Sequence, residues 1–125
     1  MCYYVYNEDT NSWLGNEYFN GVYNDGHVYD TYGTPTDHAK FQTDYNTIKN
    51  TFPNATHIII GSHAAENNDN DPLTLSILKE LGLPENYYWP SRPEYILIGS
   101  PNKPIYYAHE NVSSAVATLN IGLPT

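Results

Sequence analysis

Thr56-His57-Ile58-Ile59-Ile60-Gly61-Ser62-His63 recurs in outline as Glu94-Tyr95-Ile96-Leu97-Ile98-Gly99-Ser100-Pro101, an aliphatic run that closes on Gly-Ser both times. Runs this apolar and β-branched, bounded by glycine, predict buried central strands rather than half-exposed ones. A helical pattern fits between the copies as a right-handed crossover, so Thr56 to Ile98 reads as a central parallel βαβ unit. Parallel neighbours would bring both Gly-Ser loops to one carboxyl edge of the sheet, where open α/β sheets hold their ligands.

Before that unit, Cys2 to Tyr6 reads as a short strand that stops at the polar cluster Asn7 to Ser12. Glu17 to Tyr32 suggests a hairpin about Asn24-Asp25-Gly26, with Asn20-Gly21 as a competing turn. Thr34-Pro35-Thr36-Asp37 is a helix start with a capping-box pattern. Phe41, Tyr45, Ile48 and Phe52 then form one apolar stripe, ended by Pro53. Asp71-Pro72 opens a second helix to Leu81, with Leu75, Leu78 and Leu81 inward and Gly82 as its stop. Beyond the second Gly-Ser, a turn over Ser100 to Lys103 predicts an antiparallel hairpin with Ile105 to His109, and Asn111 caps a third helix carrying Val112, Val116 and Leu119. The expected fold is α+β, a single domain over residues 1–125: a mixed sheet of about six strands, in the order β-β-β-α-β-α-β-β-α, covered by about three helices.

Fourteen Asp and Glu against five Lys and Arg leave a formal net charge of −9. A field of that sign repels nucleic-acid phosphates and anionic lipid and steers a basic partner inward, so direct nucleic-acid and membrane binding are not expected. Polar surface comes instead from 15 asparagines and 13 tyrosines. The single cysteine, Cys2, excludes an intrachain disulfide, and no apolar run approaches a membrane span or a secretory core. A cytoplasmic location is the expectation.

Three candidate chemistries stand out. The first is a small phosphorylated ligand or nucleotide, held by Gly61, Ser62, His63, Gly99 and Ser100, with Arg92 and Lys103 countering its charge and His109 approaching from the next strand. Neither loop has the glycine spacing of a P-loop or a dinucleotide fingerprint. The second is catalysis by His63 or His109 as a base, but no paired-histidine or Cys-His pattern accompanies them, and no catalytic residue, metal ligand or cofactor is assigned. The acidic loop from Asn67 to Asp71 has cation-binding oxygens without the spacing of a dedicated calcium loop, and capping by Asp71 explains it more simply.

The third is the surface itself. Tyr87, Tyr88 and Trp89 in a proline-bracketed loop, together with Glu66 and Asp69, have the make-up of a contact surface for a basic protein. Bacterial immunity proteins and phage-encoded inhibitors of nucleases or defence systems share that general composition, a class analogy and not a motif match. The sequence therefore suggests a non-enzymatic inhibitor acting stoichiometrically on a basic protein partner, with the phosphorylated ligand as the alternative. A second copy is a further candidate partner, pairing along an open strand edge at Tyr3 to Tyr6.

Overall fold

The computed structural model describes residues 1–21, 27–31, 35–61, 71–83, 94–101 and 103–110, with the backbone alone at 94, 95 and 103–110. Their elements are β1 (Cys2–Asn7), β2 (Ser12–Trp13), a short 3-10 turn (Asn16–Tyr18), α1 (Pro35–Thr51), β3 (Thr56–Gly61), α2 (Pro72–Glu80), β4 (Glu94–Ser100) and β5 (Lys103–Glu110). One sheet contains all five strands in the order β2-β1-β3-β4-β5, and every pairing is antiparallel.

The repeated strand is therefore central, as its composition requires, but the parallel crossover is overturned. β3 and β4 are neighbours of opposite direction, with Ile59 opposite Leu97 and His57 opposite Gly99. The long connection over 62–93 leaves and re-enters the sheet at the same end. A connection of that length accommodates either direction, so the aliphatic pattern alone does not decide it. The sheet is antiparallel and not mixed among the described residues.

The expected hairpin over Glu17 to Tyr32 is replaced, in its described part, by the 3-10 turn and an isolated bridge between Val28 and Cys2. A two-residue strand, Ser12–Trp13, is an addition to the expected elements. It arises because Asn11 adopts φ 52°, a left-handed conformation that asparagine tolerates, and so reverses the chain after β1. These two segments also occupy the edge at Tyr3 to Tyr6. Leu14 N–H donates to the Val5 carbonyl, and Tyr3 N–H donates to that of His27, both at 3.0 Å. The edge expected to pair with a second copy is filled from within the chain. The β4–β5 hairpin is as expected, with Ser100 opposite Lys103. The third helix lies outside the described residues.

Period-two burial splits the sheet. Tyr3, Val5, His57, Ile59 and Leu97 are buried on the inner face. There α1 contributes Phe41, Tyr45 and Ile48, all fully buried, and α2 contributes Ile77 and Leu78. Tyr3 is the hub: its ring meets Phe41 edge-on at 5.2 Å and Phe19 edge-on at 5.4 Å. Leu75, expected inward on α2, is only partly buried, and Ile77 takes its place.

α2 begins and ends by the means its sequence announces. The Asp71 carboxylate accepts from the backbone N–H groups of Leu73 and Thr74, each at 3.1 Å, and from the Gln42 amide at 2.9 Å. Gly82 at φ 117° closes the helix, with Leu83 N–H donating to the Leu78 carbonyl at 2.9 Å. Asp71→Ala should remove about 1–2 kcal/mol of stability, seen as a lower urea midpoint at unchanged slope, and Asp71→Asn should retain most of it.

Candidate functional site

The residues singled out in the Gly-Ser loops divide between two ends of the sheet. Gly61 pairs with Tyr95, which pairs with His109, whereas Gly99 lies opposite His57, with Ser100 and Lys103 beyond it. Four steps along the strand separate the two groups, roughly 13 Å along the sheet. A single pocket made from both loops needs them together, and the antiparallel register sets them apart. Ser100 is buried, at 1% exposure. Ser62, His63 and Arg92 lie outside the described residues, as do Glu66, Asp69, Tyr87, Tyr88, Trp89 and most of the Asn67 to Asp71 loop. Among the described residues no cluster of three or more His, Cys, Asp or Glu side chains has the arrangement of a metal site.

Polar groups beneath the helices are occupied structurally. His57, 1% exposed, shares a 2.7 Å hydrogen bond between its Nδ1 and the Tyr3 hydroxyl. Burial pulls its pKa down to about 4; the Glu80 carboxylate opposes that shift and Lys49 adds to it. His38 Nδ1 meets Thr74 Oγ1 at 2.8 Å and lies 3.8 Å from Asp71 Oδ2, and its Nε2 donates to the Thr31 carbonyl at 3.0 Å. His27 stacks flat on Phe19 with centroids 3.7 Å apart, and burial lowers its pKa against the pull of Asp44. The Tyr45 hydroxyl donates to Glu80 Oε2 at 2.6 Å; its pKa is raised by burial and then by that bond. None of these three histidines faces open solvent.

The outer face of the sheet is different. Register places Val28, Cys2, Ile60 and Ile96 in one row across it, and Tyr4, Ile58 and Ile98 in the next. A third row runs from Trp13 through Tyr6 to Thr56. An antiparallel sheet with one wet face ordinarily alternates apolar and polar residues, yet these rows hold one threonine and no charge. Ile60 is 37%, Val28 39% and Trp13 54% exposed, whereas Tyr6 and Ile98 on the same face are buried. The Trp13 ring rests against Tyr6 at 5.2 Å and 78°.

Acidic residues stand at the ends of this face in the register. Glu8 and Asp9 occupy the turn between β1 and β2, where Glu8 Oε2 accepts from the Thr56 hydroxyl at 2.5 Å. At the opposite end Glu94 and Glu110 are directly paired across β4 and β5. The first 39 residues contain six Asp and Glu and no Lys or Arg, a charge asymmetry that the sequence itself displays. Trp13 escapes a reading of the sequence because it follows a polar cluster that resembles loop. The turn at Glu8 to Asn11 followed by an aromatic is the hairpin signal that could have found it. Compared with protein-family descriptions, curated proteins and solved structures, the chain matches none.

Proposed function

We propose that the protein is a non-enzymatic, stoichiometric binding protein for a basic protein partner, which it engages with the outer face of its sheet. The observation that carries this reading is an uncharged outer face on which Val28, Ile60 and Trp13 are exposed while Tyr6 and Ile98 are buried, with acidic residues in register at both ends. Interfaces combine an apolar centre with a polar rim, and a rim of one sign selects a partner of the other. Trp13 is the natural anchor, since a tryptophan gives rigid area and accepts an arginine over its ring. Inhibition of a nuclease or defence effector is the form of this activity that the composition suggests. Charge at −9 contributes a long-range pull on any such partner.

Immobilised protein should retain from a cell lysate a protein rich in Lys and Arg that elutes by ~0.5 M salt, where screening is nearly complete over a few ångströms. Trp13→Ala should weaken binding of the purified partner at least ~10-fold, and Glu8→Gln with Asp9→Asn should lower its association rate at low salt. Retained proteins that are not basic, or a complex indifferent to salt and to Trp13, would sink the reading.

A further inference from the structure

Asn20 is the only one of the 15 asparagines that a glycine follows. An asparagine so placed can lose its side-chain amide without an enzyme. The backbone nitrogen of the next residue gives up its proton and attacks Cγ, a C–N bond forms, the bond to the side-chain nitrogen breaks and ammonia leaves. Water then opens the five-membered imide at either carbonyl, which yields aspartate or isoaspartate. Nothing is oxidised or reduced. Glycine eases the attack because it has no side chain to shield its nitrogen or to confine the backbone.

Both reacting groups are tied to one buried pair. The Asn20 amide nitrogen donates to Asp44 Oδ1 at 2.6 Å, and the Asn20 backbone N–H donates to Asp44 Oδ2 at 2.7 Å. The Gly21 backbone N–H is directed at the Tyr29 hydroxyl, which itself donates to Asp44 Oδ2 at 2.5 Å. Asp44 and Tyr29 are buried while Asn20 is exposed, so water reaches the amide but not its anchors. Packing also explains why so labile a dipeptide stands here. A Cβ on Gly21 would lie 2.7 Å from the Tyr29 ring and 2.9 Å from the Val28 carbonyl oxygen. Glycine is therefore required at 21, and an amide at 20 supplies Asp44 with a donor.

We infer that Asn20-Gly21 is a deamidation site held shut by the Asp44–Tyr29 junction, which reacts when that junction opens and prevents it from closing again. Before the imide forms, the Asn20 side chain must leave Asp44 and the Gly21 nitrogen must leave Tyr29. Afterwards a new carboxylate stands where an amide donated, and two negative charges meet at a partly buried site. Isoaspartate also adds a methylene to the backbone ahead of Gly21 and displaces it from the Tyr29 ring. The segment at risk covers the edge of β1, through Tyr3 N–H to the His27 carbonyl at 3.0 Å and Tyr29 N–H to the Met1 carbonyl at 2.8 Å. None of this depends on the partner proposed for the sheet face.

The test incubates the full chain at neutral pH and body temperature, in buffer and in urea above its unfolding transition. Peptide mapping by mass spectrometry follows the exchange of NH2 for OH at each asparagine. In urea Asn20 should convert first, and in buffer about 100-fold more slowly, since closure rests on several hydrogen bonds. Tyr29→Phe keeps the ring and removes the hydroxyl, so conversion in buffer should rise about tenfold. Asp71→Ala, which weakens α2 elsewhere, should leave the rate at Asn20 unchanged. Asn20→Asp should unfold at a lower urea concentration than Asn20→Ala, because it adds repulsion to the lost bond. Equal rates in buffer and urea would overturn the inference even if Tyr29→Phe failed to fold. So would no conversion in urea, equal acceleration by Asp71→Ala and Tyr29→Phe, or an Asn20→Asp chain as stable as Asn20→Ala.

Discussion

Replacing Asp44 with alanine is expected to remove about 3–4 kcal/mol of stability, a large share of what a domain of this size usually has. Asp44 is 2% exposed. Its Oδ2 accepts from the Asn20 backbone N–H at 2.7 Å and from the Tyr29 hydroxyl at 2.5 Å, and its Oδ1 accepts from the Asn20 amide at 2.6 Å. The carboxylate thus gathers three donors at one junction. Truncation breaks all three bonds, and Tyr29 has no exposed surface through which its hydroxyl could turn to water. The melting temperature should fall by roughly 10–20 °C, with a matching fall in the urea midpoint. Asp44→Asn should lose less, because an amide keeps the shape and one acceptor oxygen. A loss under about 1 kcal/mol for Asp44→Ala would mean that the donors find substitutes and that this junction is not structural.

The second large effect is a loss of stability in mild acid. In an unfolded chain histidine titrates near 6.5, whereas burial holds His57 neutral in the folded state down to about 4. A depressed folded value means that the native state refuses a proton the unfolded state accepts. Stability is therefore flat in this respect above pH ~6.5 and declines as pH falls from there to about 4, by up to ~1.4 kcal/mol per unit and about 3 kcal/mol in all. His27, whose pKa burial also lowers, adds in the same direction. Urea unfolding at several pH values should show that slope in the wild type, and a distinctly shallower one in His57→Gln. Comparing slopes removes the fixed cost of losing the Tyr3 hydrogen bond. Parallel slopes in the two proteins would count against a buried neutral His57.

Local features of this fold are legible in the sequence. The α1 stripe, the Asp71-Pro72 start of α2, its Gly82 stop and the tight β4–β5 turn are all set by residues within one or two turns of each other. What the sequence conceals depends on distant partners. His38 and Asp44 lie on the buried side of α1 beside Phe41, yet as polar residues they read as solvent-facing. Their burial makes sense only once Thr74 and Tyr29 arrive, from 36 and 15 residues away. Strand direction is hidden for the same reason, since a long connection constrains nothing about which way the chain returns. Of the candidate site, the acidic excess is legible and the apolar outer face is not. Ile58 and Ile60 look the same on paper as Ile59, and register alone decides that one packs against α1 while the others turn away.

That register also dictates when the sheet can exist. Tyr3 pairs with Ile59 and Ile59 with Leu97, so each central contact closes a loop of tens of residues, while β4 and β5 close across a turn of two. The β4–β5 hairpin can form within microseconds, but β1 and β3 must wait for long loops to close, which places folding of the whole sheet on the slower, millisecond-to-second side of small domains. During synthesis β3 emerges with β1 as its sole strand partner, and its other edge stays open until Glu94 to Ser100 follow. A strongly aliphatic strand thus keeps one edge open to a wrong neighbour until β4 arrives.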